Sequence, residues 1–199
     1  MSNNLIGRKV AKEASISFGG MGMGSLFRYL FSIMMARWLG PQMLGIYSLG
    51  NAITRIGEIF GIMGLDNGVL RYVSREKEKN DNVRNSIYSS IKMGFISSIF
   101  IGLLLYFSSD WIVLNLFNED TFLSTVIKVY ALTLPFTVTT LIASFATQGF
   151  KILKYKVFVN QIINPFTLLL TMILSYLFFG VNVAILAPTV VSAVIGFFL

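Results

Sequence analysis

Long apolar stretches alternate with short polar segments along the whole chain. Six stretches have roughly the 20 residues that an α-helix needs to cross the hydrocarbon core of a bilayer. They are residues 14–39, 43–65, 86–107, 122–148, 157–179 and 181–199. None shows the period-two alternation typical of a membrane β-strand. The pattern therefore predicts an all-α fold, a polytopic membrane helix bundle with six transmembrane helices.

The composition supports this class of protein. Hydrophobic residues make up 55% of the 199 residues and charged residues only 13%, whereas soluble domains carry about 25% charged residues. The chain contains no Cys and no His, which excludes disulfides, Cys/His metal sites and Ser-His-Asp triads. The remaining acids, such as Asp66 and Asp110, fall in predicted loops without a matched partner. We therefore expect neither an enzyme nor a bound cofactor.

The basic residues are distributed unevenly between the two sides of the predicted bundle. If the N-terminus is cytoplasmic, two basic residues, Arg37 and Lys128, lie on the outer side and eleven lie in inner segments. The inner set is Arg8, Lys9, Lys12, Arg71, Arg75, Lys77, Lys79, Arg84, Lys151, Lys154 and Lys156. This asymmetry is the positive-inside pattern. It predicts a cytoplasmic N-terminus in the plasma membrane and explains the net charge of +7 without nucleic acid.

The first two predicted helices carry charges in their apolar spans. Arg28 lies near the middle of the first, and Asn51, Arg55 and Glu58 follow Ser48 on one face of the second. An unpaired charge at the bilayer centre costs about 2.5–3.5 kcal/mol on insertion scales, so such residues usually face a cavity. Arg28 also argues against a cleaved signal peptide, because it interrupts the apolar run. Two interpretations of Glu58 remain open: it pairs with Arg55, or it carries a coupling proton or ion.

Other polar and small residues predict how the helices pack. Gly20 and Gly24, four residues apart, favour a close helix contact. Pro135 is expected to kink the fourth helix, with neighbouring threonines compensating for the lost backbone bond. Asn160 and Gln161, followed by Asn164, indicate a hydrated inner half of the fifth helix. Residues 66–85 and 108–121 are predicted to be an inner and an outer loop.

Two sequence segments resemble a known family of membrane proteins. Residues 36–50 read Ala-Arg-Trp-Leu-Gly-Pro-Gln-Met-Leu-Gly-Ile-Tyr-Ser-Leu-Gly, and residues 64–72 read Gly-Leu-Asp-Asn-Gly-Val-Leu-Arg-Tyr. Both are similar to segments around the second helix of the polysaccharide biosynthesis proteins. These are O-antigen-type flippases of the multidrug/oligosaccharidyl-lipid/polysaccharide exporter superfamily.

The resemblance implies a transporter with two pseudo-symmetric lobes around a central cavity, a common plan among transporters. Residues 1–199 would supply the N-terminal lobe, and we expect the chain to be truncated. The implied substrate is a lipid-linked oligosaccharide in the bilayer, with Arg28, Asn51 and Arg55 as residues that meet its headgroup. A second lobe or polysaccharide-assembly proteins are the expected partners. Two alternatives stay open, namely a multidrug-type antiporter and a non-transporting membrane scaffold.

Overall fold

The computed structural model describes residues 2–75, 81–117, 121–150 and 157–198, and these residues form an all-α fold, as predicted. Eight α-helices occur in the described part: α1 Ser2–Trp38, α2 Pro41–Ile62, α3 Leu65–Arg75, α4 Asp81–Ile112, α5 Thr121–Ala131, α6 Leu134–Gly149, α7 Asn164–Phe179 and α8 Val181–Phe198. Two π-helical segments, Val113–Phe117 and Phe158–Ile163, follow α4 and precede α7. The predicted inner-side lysines at 77, 79, 151, 154 and 156 lie outside the described residues, as do Glu119 and Asp120.

Three helical stretches are long and apolar enough to cross a membrane, namely Asp81–Asn115, Phe158–Phe179 and Val181–Phe198. The pair Phe122–Ala131 and Leu134–Gly149 makes a fourth if the two bent helices count as one span. Length and composition thus support up to four of the six predicted spans, and the protein is a multi-pass membrane protein. Helices α1 and α2 are not among them, since their polar and charged residues lower the mean hydropathy.

Both predicted loops contain helical structure. Residues 66–85 include most of α3, and Asp66 lies in its first turn. Residues 108–121 include the end of α4, where Asp110 pairs with Lys128 at 2.8 Å and accepts a hydrogen bond from Ser124. The prediction that Asp110 is a loop acid without a partner was wrong. The reason is that α4 is longer than its apolar run, and that α5 brings Lys128 alongside it.

Small residues line the faces along which α2 and α4 approach their neighbours. On α4, Gly94, Ser98 and Gly102 recur every fourth residue and are buried. On α2, the buried face includes Gly57 and Gly61, and a Cβ at Gly61 would lie 3.4 Å from the Cα of Ser98. Small side chains allow helix backbones to come close in a membrane, where dispersion contacts drive association.

The break between α5 and α6 is the predicted kink. The two helices meet at 45°, and Pro135 is the second residue of α6. Proline has no N–H to donate to the carbonyl of Ala131, four residues earlier. That carbonyl faces α4 at Gly102, where a Cβ would lie 2.8 Å from the oxygen. The hydroxyl of Thr133 donates to the carbonyl of Tyr130 at 2.7 Å, so this bond does not replace the one that Pro135 lacks.

Gly20 and Gly24 make the predicted close contact. Both are buried where α1 crosses the start of the Phe158–Ile163 segment. A Cβ at Gly20 would overlap the side chain of Val157, and one at Gly24 would overlap the backbone oxygen of Gln161. The two glycines therefore allow α1 to pack closely against this segment.

This contact predicts unequal effects of two alanine substitutions on α1. Gly24→Ala is expected to destabilise the protein by about 1–3 kcal/mol, the usual cost of overpacking, because the obstructing atom belongs to a backbone. Gly22→Ala is the matched control, since no atom lies within 4 Å of its Cβ position, and it should be neutral or stabilising. Thermal unfolding of both variants in detergent, followed by tryptophan fluorescence, measures the difference. Equal melting temperatures would contradict the packing.

Candidate functional site

A polar cavity of about 730 Å³ lies among α1, α2, α6, α7 and α8. Its lining is largely composed of hydroxyl, amide and charged side chains. These are Arg28, Ser32, Tyr47, Ser48, Asn51, Thr54, Arg55, Glu58, Thr133, Thr137, Thr140, Asn160, Gln161, Asn164, Thr189 and Ser192. Helix α4 supports this arrangement from outside by packing against α2, α5 and α6.

The four candidate residues named from the sequence all line this one cavity. Arg28 reaches it from α1, while Asn51, Arg55 and Glu58 reach it from α2. On α2 the polar stripe lies beside the buried face of small residues, so one side of the helix packs while the adjacent side meets the cavity. The structure therefore places Arg28 on the same cavity as Arg55 and Glu58, which follow it in the chain by 27 and 30 residues.

Arg28 is held by a neutral partner. Its guanidinium donates to Gln161 Oε1 at 2.8 Å, and to the backbone oxygen of Asn160 at 3.5 Å. Pro165 explains why the backbone oxygen of Asn160 is available, since proline has no N–H to donate to the carbonyl five residues earlier in a π-helical turn. The chain forms a π-helical turn there, with the N–H of Asn164 donating to the oxygen of Val159. Such turns interrupt the ordinary helical bonding and are frequent at functional sites.

Arg55 and Glu58 do not pair directly. Within the described ranges, neither forms an ion pair at 4.0 Å or less; the two ion pairs found there are Arg84–Asp81 and Lys128–Asp110. Glu58 instead lies close to Thr137 of α6. Asn51 is fixed by donating to the carbonyl of Tyr47 at 3.0 Å. Arg55 and Glu58 therefore interact through space without a direct ion pair, and both interpretations of Glu58 stay predictions.

The charge balance of the cavity favours anions. Two guanidinium groups and one carboxylate line it, and the side chain that contacts Arg28 is an uncharged amide. A guanidinium binds oxyanions through several N–H donors in a planar fork. Bonds of this kind to phosphate or carboxylate are about twice as strong as neutral ones. The site is therefore suited to an anionic group such as a phosphate ester.

The hydroxyl-rich wall of the cavity was not predicted from the sequence. Thr133, Thr137 and Thr140 line it from α6, and Thr189 and Ser192 line it from α8. The α6 threonines were noted only for their relation to Pro135, although their spacing of four and three residues marks one helix face. For α8, two hydroxyls in an otherwise apolar helix give little signal. The amides of Asn160 and Gln161 were correctly expected in a polar environment.

In the described part of the chain, no cluster of three or more His, Cys, Asp or Glu residues is arranged to hold a metal ion. The fold and the cavity together define an α-helical multi-pass membrane protein with a polar site inside its helix bundle. Residues 10–199 match the model of a family described as polysaccharide biosynthesis protein, and the chain belongs to that family. No curated protein and no solved structure matches it.

Proposed function

We propose that this protein translocates lipid-linked oligosaccharide or polysaccharide precursors across the cytoplasmic membrane by alternating access. The observation that carries the proposal is the pair of arginines, Arg28 and Arg55, that line one cavity of the helix bundle without a carboxylate partner within 4.0 Å among the described residues. Arginines in this setting are costly to insert. A diphosphate headgroup would offset that cost each time it binds.

Each lining group has a role in this proposal. The guanidinium groups of Arg28 and Arg55 bind the phosphate oxygens, and Asn51 contributes an amide to the sugar-bearing end of the headgroup. The cavity volume of about 730 Å³ is within the usual range for small-ligand sites. It suits a headgroup rather than a whole lipid, so the hydrocarbon tail stays in the bilayer. The hydroxyls of Thr137 and Thr140 supply further polar contacts.

Glu58 is proposed to couple transport to a proton or another cation. It lines the same cavity as Arg55 without forming an ion pair with it. Its charge is therefore available to change with the occupancy of the site. A cation bound at Glu58 would raise the positive charge of the cavity and favour the anionic substrate.

The cavity is proposed to be one wall of a larger transport site. Arg28 remains exposed although it lines the cavity, so a second lobe that packs over α1 and α2 would enclose it. The positive-inside pattern supports a cytoplasmic N-terminus. In that orientation α1 crosses outward and α2 returns.

A binding experiment tests the substrate class. Purified protein in detergent is incubated with undecaprenyl diphosphate, with undecaprenol, or with the organic cation ethidium, and retained ligand is measured by native mass spectrometry. Undecaprenyl diphosphate should be retained, and Arg28→Gln or Arg55→Gln should weaken its binding by about 10- to 100-fold, as expected for loss of a charged hydrogen bond.

Undecaprenol and ethidium are the two ligands whose binding would contradict the proposal. Equal retention of undecaprenol would mean that the tail alone binds and would overturn the headgroup assignment. Preferential retention of ethidium would instead indicate a multidrug-type antiporter. Arg37→Gln is the matched control, since Arg37 lies in the last turn of α1 and does not line the cavity.

A further inference from the structure

The chain turns sharply at the end of α2, and α3 starts from that turn. Met63 and Gly64 have φ angles of 50° and 78°, in the left-handed region that most side chains avoid. The N–H of Gly68 then donates to the carbonyl of Gly64 at 3.1 Å. The direction of α3 is thus set by backbone geometry at the turn.

One face of α3 is docked firmly on the bundle. Val69 and Val73 are 3% and 2% exposed and belong to a cluster with buried residues of α4 and α6. At Gly149 of α6, a Cβ would lie 2.8 Å from the Cβ of Val73, so this glycine admits α3 to close contact. The helix is therefore a fixed part of the fold.

The opposite face of α3 is basic and open. Arg71, Tyr72 and Arg75 are all exposed, and the spacing of four between the arginines puts them on one side of the helix. Within the described ranges, neither arginine forms an ion pair. Helix α3 thus buries its valines against the bundle and presents a basic face to its surroundings.

The start of α4 repeats this combination of residues. Arg84, Tyr88 and Lys92 recur every fourth residue along one stripe, and all three are exposed. Arg84 lies 3.8 Å from Asp81, but both side chains are more than 80% exposed, so this pair is weak. We call the exposed residues of both helices the basic surface: Arg71, Tyr72, Arg75, Arg84, Tyr88 and Lys92.

The basic surface adjoins the start of an apolar spanning stretch. It is formed by α3 and by the beginning of α4, which is itself one of the apolar spanning stretches. Tyrosine is enriched at the membrane–water interface, and basic side chains there are attracted to anionic lipids by about 1 kcal/mol each, or roughly fivefold. The positive-inside pattern predicts that this end of the bundle faces the cytoplasm, where the leaflet is anionic.

We propose that the basic surface binds the anionic headgroups of the adjacent lipid leaflet. The contact is separate from the cavity, because none of its six residues lines that site. It anchors α3, the helix that connects α2 to α4, at a fixed depth in the membrane. In this way it holds the inner end of the helix that carries Arg55 and Glu58.

A single reporter cysteine can test this contact, because the chain has no native Cys. Gly68 lies on the same face as Arg71 and Arg75, and no atom lies within 4 Å of its Cβ position. Gly68→Cys therefore accepts an environment-sensitive fluorophore without disturbing the packing. The labelled protein is placed in nanodiscs of pure phosphatidylcholine, or of a mixture with one third phosphatidylglycerol. Quenching by neutral acrylamide then measures how far headgroups shield the reporter.

We expect the anionic nanodiscs to reduce quenching, and added salt to restore it, because salt screens exposed charges. Arg71→Gln/Arg75→Gln should weaken the effect of phosphatidylglycerol, lowering the ratio of bound to free surface by roughly fivefold per arginine. Adding Arg84→Gln and Lys92→Gln to this variant should remove the effect. Arg71→Lys/Arg75→Lys keeps the charges and should retain it. Arg37→Gln removes one charge at the other end of the bundle and should also retain it.

Two results would overturn the proposal. One is quenching that does not depend on the fraction of phosphatidylglycerol, which would leave the surface open to another partner. The other is protection that persists when Arg71, Arg75, Arg84 and Lys92 are all replaced by Gln, which would assign it to groups outside the basic surface. Gel filtration and melting temperature of each variant establish that it is folded, which is expected because the replaced side chains are exposed.

Discussion

Export of surface polysaccharide is expected to fall below detection when either Arg28 or Arg55 is replaced by alanine, although the chain still inserts into the membrane. Each substitution removes a guanidinium from the cavity without removing a core contact. Charged hydrogen bonds contribute about 1.5–3 kcal/mol each, so each variant should lose at least about tenfold in headgroup affinity. Surface polysaccharide of cells that depend on this chain is the quantity to measure, with the membrane level of the protein alongside.

Arg37→Ala is the matched control for that experiment, since it removes the same side chain from α1 at a position away from the cavity. Export should be unchanged in this variant. Normal export in both the Arg28 and the Arg55 variants would refute the assignment of the cavity as the headgroup site. Reduced export in all three variants would point to total charge or insertion as the cause.

Gln161→Glu is expected to abolish anion binding and export while leaving the fold intact. The side-chain oxygen of Gln161 already lies 2.8 Å from the guanidinium of Arg28, so a carboxylate of the same shape would form an ion pair there. Such a pair satisfies the guanidinium with a fixed anion, and the substrate must then compete with it. Direct pairing of this kind favours the charged forms of both groups, so the melting temperature should hold or rise.

Two comparisons separate this effect from simple disruption. Gln42→Glu adds the same charge at an exposed position at the start of α2, away from the cavity, and should leave binding unchanged. Gln161→Leu removes the partner of Arg28 without adding charge, and should weaken binding less than Gln161→Glu does. If Gln161→Glu binds undecaprenyl diphosphate as well as the unaltered protein does, Arg28 does not contact the headgroup.

The sequence was sufficient for the fold class and for the charged residues that line the cavity from α1 and α2, although Ser32, Tyr47 and Thr54 on the same two helices were not predicted. Apolar runs of membrane length and a polar stripe with helical spacing are local signals, and Arg28, Asn51, Arg55 and Glu58 follow from them. The transport role assigned to these residues stays a prediction, as do the spans expected for α1 and α2. Family membership, by contrast, is confirmed over residues 10–199.

What the sequence could not give depends on contacts between distant segments. The pairing of Asp110 with Lys128 needs α5 to pack beside the end of α4. Similarly, α3 was taken for a loop because its buried face consists of only a few apolar residues within a charged segment. The hydrogen bond from Arg28 to Gln161 joins residues that are 133 positions apart in the chain. No spacing rule within one helix reports such contacts.

Twice in this fold, a proline on one helix is matched by a glycine on its neighbour. Pro165 has no N–H to donate to the backbone carbonyl of Gln161, and that carbonyl lies against Gly24. Likewise, Pro135 has no N–H to donate to the carbonyl of Ala131, which lies against Gly102. The two members of each pair should therefore be energetically coupled, so that a double-mutant cycle between Pro165→Ala and Gly24→Ala would be non-additive. Across related sequences, substitution at either proline would then be accompanied by change at its glycine. Such covariation would reveal helix neighbours that apolar patterns alone leave hidden.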